Sequence, residues 1–101
     1  MRTGPEVVIE LPDGDKYGKG DDVEIRITVR DSDGVKNFEW GVFTQNGVSV
    51  KGGNKDCGNA GECSTKQEFN AALDGVFQIG VKAYDSANNE TVEVKQVYVG
   101  G

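Results

Sequence analysis

There is no histidine anywhere in the 101 residues. That removes His-dependent nucleophilic triads and the usual general base of neutral-pH catalysis. Zinc has no support either, because the chain offers one cysteine pair, Cys57 and Cys63, and no imidazole to complete a tetrahedral set. No apolar stretch approaches the roughly 20 residues of a membrane-crossing helix. The start, Met1-Arg2-Thr3-Gly4-Pro5, lacks a signal-peptide hydrophobic region. No glycine-rich phosphate loop precedes a helix, so nucleotide binding is unsupported. No acidic pair sits in the apolar setting that would separate two carboxyl pKa values for glycosidase-type work. The chain therefore reads as non-catalytic.

Positive charge is also scarce: 11 Lys and Arg stand against 17 Asp and Glu, a net charge of −6. Such a surface is repelled by phosphate backbones and by anionic bilayers, which argues against nucleic acid and membrane insertion. Hydrophobic residues reach only 36%, while glycine is plentiful at 15. A single core of this size is stable by a thin margin. The β-branched runs nevertheless argue against disorder.

The dominant pattern is alternation with period two, broken by Gly, Asp and Asn clusters, which predicts many short strands and no helix. The first covers 7–11. In 23–29, Val23, Ile25, Ile27 and Val29 alternate with Glu24, Arg26 and Thr28, so one face is dry and the other wet. A turn at Asp31-Ser32-Asp33-Gly34 leads to 37–43, where Phe38, Trp40 and Val42 form the inward set. Residues 48–50 read as a short strand, 51–63 as a cysteine-bearing loop and 64–71 as an edge strand. In 76–84 two registers compete. Burying Gln78 and Lys82 would desolvate them, so Phe77, Ile79, Val81 and Ala83 point inward. In the last strand, Val92 and Val94 are out of phase with Val97 and Val99, which predicts a bulge at Lys95-Gln96.

About seven short strands with regular turns predict an all-β, immunoglobulin-like, two-sheet antiparallel sandwich. Residues 1–5 and 100–101 read as linkers flanking a domain over 6–99. A disulfide between Cys57 and Cys63 fits their placement in a turn-rich stretch. It implies an oxidising compartment, extracellular or at the cell surface.

Asp31-Ser32-Asp33-Gly34-Val35 followed by Phe38-Glu39-Trp40 resembles a segment of bacterial and archaeal immunoglobulin-like repeats and polycystic-kidney-disease domains. Leu73-Asp74-Gly75-Val76-Phe77 and Val81-Lys82-Ala83-Tyr84-Asp85-Ser86-Ala87-Asn88-Asn89 resemble a second segment of the same families. The likeness spans residues 5–99. Phe77 stands where such domains often carry a corner tyrosine, and the cysteine loop is not a general feature of them. The resemblance implies spacer, display or binding modules of adhesins, surface-layer proteins and secreted hydrolases.

Two sites are expected. Loop carboxylates and amides at one pole, Asp31, Asp33, Asp85 and Asn88 first, offer oxygens to calcium, with Asp56, Glu62, Asn89 and Glu6 nearby. The same residue types are ordinary turn formers. On the outer face of the 37–43 and 76–84 strands, Gly41 and Gly80 form a flat floor flanked by Phe43 and Tyr98. That floor suits a sugar ring or a neighbouring module, unless the loop carrying Tyr17 simply covers the edge. Trp40 belongs to the core and Tyr84 to the surface. Asn89-Glu90-Thr91 matches an N-glycosylation sequon. The chain thus reads as a monomeric structural or adhesive spacer contacting neighbouring domains, a surface glycan or a protein. The alternative is an accessory carbohydrate-binding domain of a secreted hydrolase.

Overall fold

The structure, a computed structural model, describes residues 4–100. The linker readings of residues 1–3 and 101 lie outside the described residues, while Gly4 and Pro5 are buried. Every regular element is a strand: β1 (Glu6–Glu10), β2 (Lys16–Tyr17), β3 (Asp22–Thr44), β4 (Ser49–Asn70), β5 (Gly75–Asp85) and β6 (Glu90–Val99). They form one sheet in the order β1-β3-β5-β6-β2, with β4 paired to β3. All pairs are antiparallel except the short β2 against β6.

The sheet curls because β3 and β4 are long enough to serve two limbs each. The first part of β3 pairs β1 through residues 26–30 and the second part of β4 through 62–70. Its second part pairs β5 and the first part of β4. Between them the register shifts at Arg30/Val35 and again at Val35/Asn37. An odd residue inserted in a ladder reverses which face each side chain takes. Accordingly the buried set runs on odd numbers from Val23 to Val35, then on even numbers from Phe38 to Val42. One strand can thereby line a shared interior from two directions. The Asp31-Ser32-Asp33-Gly34 segment, expected as a separate turn, is an irregular stretch inside β3 that carries the chain from one limb to the other.

The core joins both limbs: Val23, Ile25, Ile27, Val29, Val35, Phe38 and Val42 from β3, Phe69 from β4, Phe77, Ile79, Val81 and Ala83 from β5, and Val97 and Val99 from β6. Each fully buried aliphatic or aromatic side chain contributes about 1.5–3 kcal/mol relative to exposure. Phe69 and Phe77 meet across the limbs with ring centroids 5.5 Å apart. Gln78 and Lys82 are exposed, as the register argument requires, and Trp40 is buried at 8% exposure.

About seven short strands were expected; the chain has six elements, of which β3 and β4 each span both limbs, and two expectations fail. Residues 51–63 are strand, not loop. Residues 49–56 are exposed throughout, so no alternation marks them, and the backbone ladder to β3 sets their place. The bulge at Lys95-Gln96 is absent: β5 and β6 pair without a shift from Gly75↔Val99 to Tyr84↔Glu90. Val92 and Val94 simply face outward, 53% and 58% exposed.

Candidate functional site

The outer face of β3, β5 and β6 carries a row of small residues. Gly41 pairs with Gly52 on one side and Gly80 on the other, and Gly80 pairs with Val94. The ring of Phe43 folds back over Gly41, where an added Cβ would lie 2.8 Å from two of its carbons. A shallow groove of about 250 Å³ results, lined by Glu39, Gly41, Phe43, Gly80, Lys82 and Val92 among others. Glu39 and Lys82 are paired across β3 and β5 and border it with opposite charges. Its walls are apolar and its rim charged, an arrangement suited to a flat ligand with an apolar face and polar edges.

Gly41, Phe43 and Gly80 therefore come together, and Tyr98 does not join them. Tyr98 pairs with Val76 and with Lys16 of β2, and its hydroxyl donates to Gln96 Oε1 at 3.0 Å. The residues missed in the groove are Val92 and the bordering Glu39 and Lys82. Val92 was legible in the strict alternation Val92, Val94, Gln96, Tyr98, all of which face outward once no bulge is inserted. The Tyr17 segment does cover the edge, as β2 against the end of β6, and the Tyr17 hydroxyl is buried without a protein partner.

The acidic residues gather at the pole where β3 crosses between limbs, but for structural work. Asp85, buried at 3% exposure, accepts from the backbone N–H of Ala87 and Asn89 on Oδ1, and from the Asn89 side-chain amide on Oδ2. The Asn89 amide, followed by those backbone N–H groups and a bond with Asp31, holds the Asp85 carboxyl below the usual carboxylate range, against the opposing effect of burial. Asp31, also buried, accepts from the Asp33 N–H. Asp33 itself is exposed, and its carbonyl accepts from the Ser86 hydroxyl. Asn88 Oδ1 accepts from Lys36 Nζ. Glu62 pairs with Arg30, and Asp56 caps the Gly58 N–H. Asp31, Asp85 and Asn89 thus meet, while Asn88, Asp56 and Glu62 bond to Lys36, Gly58 and Arg30. Among the described residues no group of three or more His, Cys, Asp or Glu is placed to hold a metal ion.

Cys57 and Cys63 form a disulfide with Cα atoms 5.8 Å apart, in the stretch where β4 passes from one limb to the other. Asn89 of the sequon is exposed, but its amide nitrogen is the one bonded to Asp85.

No protein-family model matches the sequence, and no curated protein matches it significantly. Solved structures do match. The CARDB domain of a Pyrococcus furiosus protein, described in complex with di-metal ions, aligns at 20% identity over 97% of this chain and 90% of that one, with a TM-score of 0.66. The sulfur carrier protein SoxY of Chlorobium limicola aligns at 14% identity, TM-score 0.70, covering 94% and 79% of the two chains. A superoxide reductase of Ignicoccus hospitalis aligns at 14% identity, TM-score 0.66, over 97% and 82%. Proteins with such different names share a shape, not a chemistry. What they have in common with this chain is an all-β, immunoglobulin-like fold.

Proposed function

We propose that the chain is a non-catalytic spacer and interaction module of a larger secreted or cell-surface protein. In this reading the curled sheet is a two-sheet antiparallel sandwich of about seven strands, with β3 and β4 each counted once per layer and the two-residue β2 left out of the count. The observation that carries it is where the ends of the domain lie. Glu6 pairs with Arg30 at one end of the strands and Val99 pairs with Gly75 at the other. The body between them is elongated, 44 × 24 × 23 Å. A stiff body entered at one pole and left at the other fixes the distance between its neighbours.

Three further observations support the reading. Both Asp-Gly pairs of the repeat-like segments put glycine in the left-handed region, Gly34 at φ 100° and Gly75 at φ 125°. The likeness to bacterial immunoglobulin-like and polycystic-kidney-disease repeats thus reflects a backbone demand as well as composition. The disulfide suits an oxidising compartment. The CARDB neighbours are themselves domains of about this length. The reading assigns no cofactor: both Asp85 oxygens and Asp31 Oδ1 are already taken by N–H donors.

The test is a tandem of two copies joined end to end, measured by small-angle X-ray scattering. The longest dimension should come close to double that of one module. A tandem whose copies fold back side by side would overturn the spacer role.

A second reading, accessory carbohydrate binding, is favoured by the groove over Gly41 and Gly80 with the exposed ring of Phe43 beside it. Binding on a glycan array that disappears in Phe43→Ala supports it. An array with no signal for the unaltered domain removes it.

A further inference from the structure

β4 runs for 22 residues and, among the described residues, pairs only with β3. Among the described residues its other edge meets no strand on either limb. A free edge of that length presents unpaired N–H and C=O groups that a second strand can join. We infer that Lys51 and Lys55 close this edge and keep the protein monomeric, and that without them β4 pairs with β4 of a second copy.

The geometry is specific. Lys51 lies opposite Val42, Gly53 opposite Trp40 and Lys55 opposite Phe38. Directly opposed residues of an antiparallel pair share a face. Both lysines therefore start on the core-facing side, where a charge is unexpected. Their stems cross the open seam between the limbs. Lys51 Nζ donates to the Glu68 carbonyl at 2.6 Å, and Lys55 Nζ donates to the Ser64 carbonyl at 2.8 Å. Residues two apart on a strand direct their carbonyls to the same side. Ser64, Lys66 and Glu68 thus share one orientation, and it is the side away from β3. Each ammonium satisfies an edge acceptor and occupies the space an incoming strand needs. Inward-pointing lysines are a known means of blunting edges. Here they act on a neighbouring limb of the same strand.

The occupant that fits the opened edge is a second copy. Antiparallel pairing centred on Gln67 sets Lys66 of one copy opposite Glu68 of the other, twice over by symmetry. Ser64 then faces Asn70. Both charged pairs are complementary, and all four of these residue types are exposed in the monomer.

Sedimentation velocity across rising concentration tests the inference on the unaltered domain, on Lys51→Gln/Lys55→Gln, and on Lys19→Gln/Lys95→Gln as an equal-charge control. The unaltered domain and the control should stay monomeric. The Lys51/Lys55 variant should form a concentration-dependent dimer, in which amide exchange at Ser64, Lys66 and Glu68 slows by about tenfold or more. Adding Lys66→Pro, which removes an edge donor but no ladder bond, should return it to monomer. If the double variant loses its native circular dichroism, Lys51→Gln and Lys55→Gln singly carry the same test, each opening part of the edge. Variants that stay folded and monomeric overturn the inference. So does a dimer whose edge amides exchange as fast as in the monomer.

Discussion

At the scale of single residues, Asp85 shows how turn chemistry stands in for a site. Its side chain accepts three N–H bonds that fold the β5–β6 connection back on itself. Asn88, at φ 65°, supplies the left-handed residue that such a turn requires. The connection is then tied to β3, since the Ser86 N–H donates to the Gly34 carbonyl and the Ser86 hydroxyl to that of Asp33. Because the folded Asp85 carboxyl titrates below its unfolded value, its contribution is fully present above the unfolded pKa. It is lost as pH falls through the lower, folded one. Stability should therefore decline with acid below about pH 4. Asp85→Asn should be less stable at neutral pH and show a shallower acid decline, read as urea midpoints against pH. Parallel curves for the two proteins would deny Asp85 this role. The sequence showed that Asp31, Asp85 and Asn88 would share a pole. Their role as turn formers bonding nearby backbone was also legible from residue type, but the side-chain partners, Asn89 for Asp85 and Lys36 for Asn88, were not, since they follow from loop geometry.

At the scale of elements, the crossing of β3 between limbs rests on Gly34. Its φ of 100° is unfavourable for any residue with a Cβ, and a Cβ there would sit 2.5 Å from the Asn59 carbonyl oxygen of β4. Neither strand can yield easily, because both belong to the ladder on either side. Gly34→Ala should cost about 1–3 kcal/mol for the backbone strain alone, with the clash in addition. Chemical denaturation should show this, while Gly47→Ala, in open space, loses only the φ contribution. Equal losses at the two positions would mean that the close approach to Asn59 does not matter. The inward phases of β3 and β5 were legible because one register buries apolar side chains and the other buries Lys82 and Gln78. Beyond Val50, which the sequence placed in a short strand, the first half of β4 was not legible. Its residues 49–56 are all exposed, so no apolar alternation marks an inward face, and Gly52, Gly53, Gly58 and Gly61 read as loop. The false bulge in β6 had a related cause. Val92 and Val94 were assumed to seek the interior, when β6 keeps an inward apolar face only at Val97 and Val99.

At the scale of the whole molecule, one curled sheet has to hold two limbs together with a core drawn from 101 residues, a margin of only a few kcal/mol in domains of this size. The limbs are joined covalently where β3 and β4 cross, and β4 crosses through Gly58 and Asn59, both at positive φ. The Cys57–Cys63 bond spans that point, and both cysteines touch the core. Closing so short a loop removes unfolded-state freedom worth about 2 kcal/mol. In a domain of this length that corresponds to a melting temperature lower by about 10 °C when the bond is lost. Cys57→Ser/Cys63→Ser should show the drop without reductant, and the unaltered domain should show it with reductant. The loss should also be local before it is global. The first half of β4, exposed along residues 49–56 and with β3 as its one strand partner, should exchange its amides faster, whereas β5, paired on both sides, keeps its protection until the whole molecule unfolds. A uniform rise in exchange across β4 and β5 would place the disulfide's effect in the unfolded chain alone and leave the crossing without a stabilising role.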